Sequence, residues 1–210
     1  MKTLISKYKG KKSEIKNRLQ EFKKVGTGCD EDLFAELCFC LLTPQSKAVS
    51  CDRAIKDLKK KGLLVKGSPE RIANCIKGYA RFHNKKSEYL VNAREIFTAD
   101  RKINLKRRLD GKDALKTREW LIENIKGLGY KEASHFLRNI GLGQDMAILD
   151  THILKNLKRM GAIDEIPRSM SKKNYVELEE KMRQFARKVG IPLEELDLLF
   201  WSNETGFVFK

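Results

Sequence analysis

Nine residues in the middle of the chain, Ile125-Lys126-Gly127-Leu128-Gly129-Tyr130-Lys131-Glu132-Ala133, restrict its fold more than any other segment. Apolar residues recur at helical spacing before them (Ile122, Ile125) and after them (Ala133, Phe136, Leu137, Ile140). A Gly-x-Gly turn therefore joins two amphipathic helices. The glycines permit positive φ and close backbone approach, and the exposed N–H groups at the start of the second helix offer donors to an anion. Such a hairpin grips phosphate, with the amine of Lys131 beside it.

The same periodicity extends along most of the chain and predicts an all-α protein. Leu33, Leu37 and Leu41 form one stripe, and Tyr175, Leu178, Met182, Phe185 and Val189 form another in a helix from about 171 to 189. Glycines 127, 141, 161 and 190 each follow such a stripe, as helix C-terminal glycines do. Pro192 opens a last helix through about Trp201. There is no alternating strand pattern. The lysine-rich stretch from Lys7 to Lys24 reads as surface, and Gly161 to Pro167 as a connector. Two helical subdomains are expected. Residues 28–145 form one, including the hairpin; residues 1–27 plus 146–210 form the second, with the active cleft between them.

Charge narrows the partners. Against 28 Asp+Glu stand 44 Lys+Arg, a formal net charge of +16 that favours a polyanion. Nucleic acid leads, with an anionic membrane surface or a generally lysine-rich proteome as the other readings. No apolar run reaches the length of a membrane span, and the N-terminus lacks a signal-peptide core, so an intracellular, cytoplasmic protein is expected, nucleoid-associated and monomeric. The five cysteines, 29, 38, 40, 51 and 75, contain no CxxC pair and read as reduced thiols, with neither metal nor other cofactor called for.

Nineteen residues after Lys131 comes the aspartate of Asp150-Thr151-His152. The hairpin, the approach Gly141-Leu142-Gly143-Gln144 and this triplet together resemble the helix-hairpin-helix DNA glycosylases, the superfamily of endonuclease III and the 8-oxoguanine glycosylases. Leu41-Leu42-Thr43-Pro44-Gln45-Ser46 is similar to the superfamily segment whose Gln approaches the DNA gap left by a flipped base, and Gly78 to Glu88 resembles a second DNA-facing loop. No cysteine follows Cys75, so the iron–sulfur ligands of endonuclease III are missing, and the chain is too short for the extra N-terminal domain of the eukaryotic 8-oxoguanine enzymes. What remains resembles the compact archaeal-type 8-oxoguanine DNA glycosylase/AP lyase family, which has an aromatic tail ending in lysine; this chain ends Phe207-Val208-Phe209-Lys210.

The resemblance implies excision of 8-oxoguanine from damaged double-stranded DNA and then nicking of the abasic strand. The chemistry of the residues agrees: an amine can attack sugar C1′ and hold it as a Schiff base, and a carboxylate stabilises the positive charge that develops on the sugar. Lys131 is the expected nucleophile and Asp150 its carboxylate partner. Gly127, Gly129 and Tyr130 are expected at the DNA backbone, Gln45 and Phe82 at the gap or base stack, and Trp201 and Lys210 at the lesion. The resemblance implies that the terminal lysine helps draw the distinction from guanine; the chemistry of the residues suggests its carboxylate as the acceptor for N7–H, with the ammonium balancing that charge. Plainer readings stand beside these. Asp150 caps the helix that starts at 151; Gln45 is a polar helix-end residue; Phe82 and Trp201 belong to the core; His83 and His135 lie on the surface or in the hairpin; His152 is a structural neighbour of Asp150. A glycosylase for another damaged base, such as an oxidised pyrimidine, and a non-catalytic helix-hairpin-helix module are the alternative functions.

Overall fold

A computed structural model describes residues 2–109, 111 and 113–210. Among them run eleven α-helices: α1 (Lys2–Thr27), α2 (Asp30–Leu42), α3 (Ala48–Lys60), α4 (Leu63–Lys66), α5 (Pro69–Ile76), α6 (His83–Phe97), α7 (Ala114–Asn124), α8 (Tyr130–Asn139), α9 (Thr151–Arg159), α10 (Lys172–Val189) and α11 (Leu193–Thr205). The all-α expectation is met, with one small addition. Thr98–Ala99 pairs antiparallel with Lys102–Ile103, and the two residues between, Asp100 and Arg101, both take positive φ, as a type I′ hairpin turn requires. Strands of two residues are too short to show alternation in a sequence. None of the described helices is long and apolar enough to cross a membrane.

Local chemistry sets the helix ends. Ser171 accepts from the Asn174 amide at the start of α10, and Gly190 at φ 68° ends it, with the Gly190 and Ile191 amides donating to the carbonyls of Arg187 and Ala186. This is the Schellman closure, which needs a left-handed residue. The same pair of bonds recurs at Gly141 and Gly161. α11 runs four residues beyond Trp201, to Thr205, where Gly206 stops it.

α1 corrects the reading of Lys7–Lys24 as surface. It is a single helix whose Leu4, Tyr8, Ile15, Leu19 and Phe22 are buried, while the lysines between them point outward. The stripe exists in the sequence, but the lysines outnumber it and hide it.

The buried apolar residues fall into two clusters. One gathers residues between Leu33 and Met146, from α2 through α8 and the chain beyond it. The other joins Leu4 to Phe22 of α1 with residues from Ala147 to Val208. The chain passes from one to the other between Met146 and Ala147, and polar bonds hold this crossing. Glu179 of α10 accepts from the Ala147 amide at 2.9 Å, and Tyr175 donates to the Ala147 carbonyl at 2.5 Å. Glu179 also takes a two-pronged ion pair from Arg118 of α7, at 2.7 and 3.0 Å, and Arg118 reaches Ser134 of α8 at 3.1 Å. Both side chains are fully enclosed.

Removing one partner of such a pair leaves a buried charge uncompensated. Glu179→Gln is therefore expected to destabilise the protein by about 3–5 kcal/mol, measured as the shift of a urea unfolding curve, whereas replacing Arg118 and Glu179 together by apolar residues should recover most of that loss.

Candidate active site

A cleft of about 870 Å³ opens where the two cores meet. Its walls bring together Lys131 from the start of α8, Asp150 and His152 from the start of α9, Gln45 from the loop after α2, Trp201 from α11 and Lys210 from the tail. These positions are far apart in the sequence. Phe82 is absent from the wall and is exposed.

The hairpin lies between α7 and α8, as the glycines require. Gly127 takes φ +88°, and a Cβ there would fall 2.3 Å from the Tyr89 ring. Gly129 differs from expectation: it is the extended N-cap of α8, at φ −103°, where a Cβ would meet only the flexible Glu132 side chain at 3.2 Å. Only the first glycine is held by conformation. Tyr130 directs its hydroxyl to Glu119 at 2.7 Å and its ring against Tyr175, so what it offers outward is its backbone N–H at the helix start.

Lys131 lies one residue into α8. Its Nζ donates to Thr43 Oγ1 at 3.3 Å and sits 3.6 Å from Glu132. Thr43 in turn donates to the Cys40 carbonyl, so the C-terminal end of α2 orients the amine. Nothing in the sequence singled out Thr43 as its partner. Asp150 does cap α9, its Oδ1 accepting from the Ile153 amide at 2.8 Å, and at the same time it lines the cleft. The capping bond fixes the carboxylate and uses one oxygen. The two readings of Asp150 are therefore compatible.

Gln45 and Phe82 share an uncommon backbone. Both are non-glycine residues with positive φ, 53° and 57°, which costs energy that the surroundings must supply. Phe82 is 56% exposed, so its assignment to the core is wrong: its left-handed backbone, at the N-cap of α6, turns the ring outward beside Arg81. The two loops are tied together. Ser46 accepts from the Arg81 amide at 2.9 Å, and buried Lys86 of α6 donates to the carbonyls of Leu42 and Pro44 and to Ser46 Oγ. Burial holds the Lys86 ammonium below the ordinary lysine value. The sequence did not mark Lys86 as different from its many neighbours.

The tail folds back after Gly206. Val208 is buried, its amide donating to Glu14 of α1, and Phe207 and Phe209 pack on Trp201, with ring centroids 5.7 and 6.1 Å away. Trp201 is thus part of a half-buried aromatic cluster at the cleft wall, not of the deep core. The Lys210 ammonium pairs with Glu36 at 3.0 Å and Asp52 at 2.9 Å, above the Phe39 ring. The carboxylates that balance this ammonium come from α2 and α3. Burial alone would lower its pKa, but Glu36 and Asp52 outweigh that and raise it. Burial likewise pushes the Asp52 carboxyl up, and the bonds from Lys56 and Lys210 bring it below its ordinary value.

His135 is buried in the cleft wall, on the second helix of the hairpin, so of its two plain readings the hairpin one holds and the surface one does not. It lies one helical turn after Lys131, on the same face. All five cysteines are free thiols, and among the described residues no group of three or more His, Cys, Asp or Glu gathers as a metal ion would need.

The Lys210 clasp has a pH signature. Asp52, with its lowered value, contributes stability above its unfolded pKa of ~3.9, and this is lost as pH falls through the folded value. Lys210, with its raised value, contributes below ~10.4, and this is lost as pH rises through the folded value. Tail docking, followed by Trp201 fluorescence in a Trp120→Phe background, should be level between about pH 5 and 9 and weaken on either side.

Comparison with known proteins adds to this geometry. The family model described as 8-oxoguanine DNA glycosylase matches residues 15–191. An 8-oxoguanine DNA glycosylase/AP lyase of Fusobacterium nucleatum subsp. nucleatum is 47% identical over 208 residues, 97% of this chain and 94% of its own length. The crystal structure of the 8-oxoguanine DNA glycosylase of Thermotoga maritima superposes with a TM-score of 0.88 at 38% identity, covering 100% of this chain and 97% of that one. That of the Methanocaldococcus jannaschii 8-oxoguanine glycosylase/lyase, in complex with a 15mer DNA containing 8-oxoguanine, gives a TM-score of 0.87 at 38% identity, covering 99% and 100%.

Proposed function

The chain belongs to the 8-oxoguanine DNA glycosylase family, and on that footing we propose that it excises 8-oxoguanine from duplex DNA through a lysine Schiff base and then nicks the abasic strand. One observation carries the assignment of roles: Lys131, Asp150 and the docked tail face the same cleft, which is large enough for a flipped base. Residues 28–145 and residues 1–27 plus 146–210 are the two domains that bound it. On this reading the protein acts as a monomer on intracellular, nucleoid-associated duplex DNA, and no cofactor enters the chemistry.

The hairpin amides from Gly127 to Tyr130 hold the phosphate backbone, and Gln45 and Phe82, on their cross-tied loops, stand at the space the flipped base vacates. The unprotonated amine of Lys131 attacks C1′. The N-glycosidic bond breaks with its electron pair going to the base, which takes up a proton. Positive charge on the sugar is stabilised by the Asp150 carboxylate. The bound amine loses a proton and the C1′–O4′ bond opens, O4′ taking up a proton, which leaves an iminium between Lys131 and C1′; this acidifies the C2′ hydrogens, and loss of one expels the 3′ phosphate by β-elimination. Trp201 and Lys210 form the wall against which the lesion is read.

Lys131→Gln should abolish both borohydride trapping and strand nicking while duplex binding persists, because the other basic groups still meet phosphates. Asp150→Asn separates charge from capping, since Asn caps a helix as well as Asp. It should slow single-turnover excision by about 10²–10³-fold; an unchanged rate would leave Asp150 as a cap alone. Removing Lys210 should impair 8-oxoguanine excision far more than cleavage of a preformed abasic site, and equal loss on both would assign the tail to the fold.

A further inference from the structure

Once Lys131 is bonded to C1′, its nitrogen carries two hydrogens, and one of them has to leave before the sugar ring can open to the iminium. The surroundings of the amine offer a partner for each. Nζ donates to Thr43 Oγ1 at 3.3 Å and lies 3.6 Å from Glu132 Oε1. The Thr43 hydroxyl gives its own hydrogen to the Cys40 carbonyl, so toward the amine it can only accept a hydrogen bond. A neutral hydroxyl does not keep the proton. The Glu132 carboxylate can, and among the described residues it is the only carboxylate that pairs with this ammonium.

Glu132 is placed for that task by its helix. It follows Lys131 in the first turn of α8, its side chain is 15% exposed, and it forms part of the cleft wall. Asp150, by contrast, has one oxygen fixed by the Ile153 amide. At 3.6 Å the Glu132 contact is longer than a hydrogen bond, and catalytic contacts of this length commonly tighten as substrate is bound. Against burial, the Glu132 charge also supports the ammonium of Lys86 in α6, which is the plainer role for it.

Resting on the function proposed above, we propose that Glu132 is a further catalytic residue, the base that takes a proton from the C1′-bound amine of Lys131 and returns it to O4′. The electron pair of the broken N–H bond stays on nitrogen and forms the second bond to C1′. The C1′–O4′ pair leaves with O4′, which collects the proton, and Glu132 ends as the carboxylate it began as. Nitrogen and O4′ are both attached to C1′, so the two oxygens of one carboxylate can serve both. The hydrogen that remains on nitrogen is the one held by Thr43. Release of the base precedes this transfer, whereas borohydride trapping and strand nicking follow it. Excision and nicking are therefore separable at Glu132.

Glu132→Gln removes the base while keeping the size of the side chain, and Gln suits the third position of a helix as well as Glu does. Free 8-oxoguanine released from a lesion duplex in a single turnover, strand nicking and borohydride trapping are measured for wild type and variant, with nicking and trapping repeated on a preformed abasic duplex. Far-UV circular dichroism shows which variants fold. Base release should run at the wild-type rate or above it, while nicking and trapping fall by about 10²–10⁴-fold on both substrates, the range for general acid–base catalysis. Glu132→Ala should behave alike and regain nicking when sodium formate supplies a carboxylate. If Glu132 did no more than pair with the ammonium, its loss would free the amine and speed trapping; if it only supported Lys86 and the loops around it, base release and nicking would fall together. Either of those results, unchanged trapping, or no rescue by formate overturns the proposal. Should the Gln and Ala variants both fail to fold, Glu132→Asp decides: nicking slowed more than base release supports the proposal, and equal effects overturn it. A wild-type protein that neither releases 8-oxoguanine nor nicks an abasic site would instead count against the function proposed above.

Discussion

The ion pair between Arg118 and Glu179 is the joint on which the cleft depends. It spans the two apolar cores, and the same carboxylate that holds the guanidinium also receives the Ala147 amide, where the chain crosses over. Asp150 follows three residues later. The position of that carboxylate relative to Lys131 is therefore set by the hydrogen bonds of the crossing. Ser134 and Tyr175 extend the network, and Tyr130 stacks against Tyr175, so the hairpin is braced by the same cluster. In a dry interior a two-pronged pair of this kind, here with Arg118 Nε left without a partner, fixes geometry more surely than it adds stability.

A second buried pair behaves differently. Arg138 and Asp197 meet through one bond at 3.2 Å, and the other carboxylate oxygen, Asp197 Oδ1, lacks a partner. Burial raises the Asp197 carboxyl to about 7 despite Arg138, with Asp150 adding to the rise, and burial likewise lowers the guanidinium. Both shifts run in the direction of desolvation outweighing attraction. The first pair serves as a strut; the second places a reluctant charge at the edge of the cleft, beside the carboxylate assigned to catalysis.

Much of this was legible in the sequence, and the failures have physical causes. Helix boundaries followed from glycines 141, 161 and 190, because a Schellman closure demands a residue that tolerates positive φ. Lys131 and Asp150 stood out by spacing from a recognisable hairpin. α1 was misread because charge dominates its composition, while only five apolar positions carry its contact face. For Phe82, expected at the base stack on the resemblance, residue type alone points to the core because aromatic residues are usually buried, and the left-handed backbone that exposes it leaves no mark in residue type. The face of α8 bearing His135 was predictable from Lys131, but the presence of a cleft on that face depends on elements supplied by the other core. Partners such as Glu36 and Asp52 for Lys210 are tertiary coincidences of helices far away in sequence, and no local pattern announces them.

The way α1 is used has a consequence for how the chain reaches this state. Its apolar stripe belongs to the core completed by residues 147–208, and the bond from Tyr8 to Glu195 joins positions 187 apart. During synthesis the first helix emerges with an oily face whose cover has yet to be made, while the intervening core can condense from local contacts first. Long loop closure is slow, and an uncovered apolar face in the interval invites association with other chains. The lysines that obscure the stripe keep that early helix strongly cationic, so mutual repulsion guards it until α10 and α11 arrive.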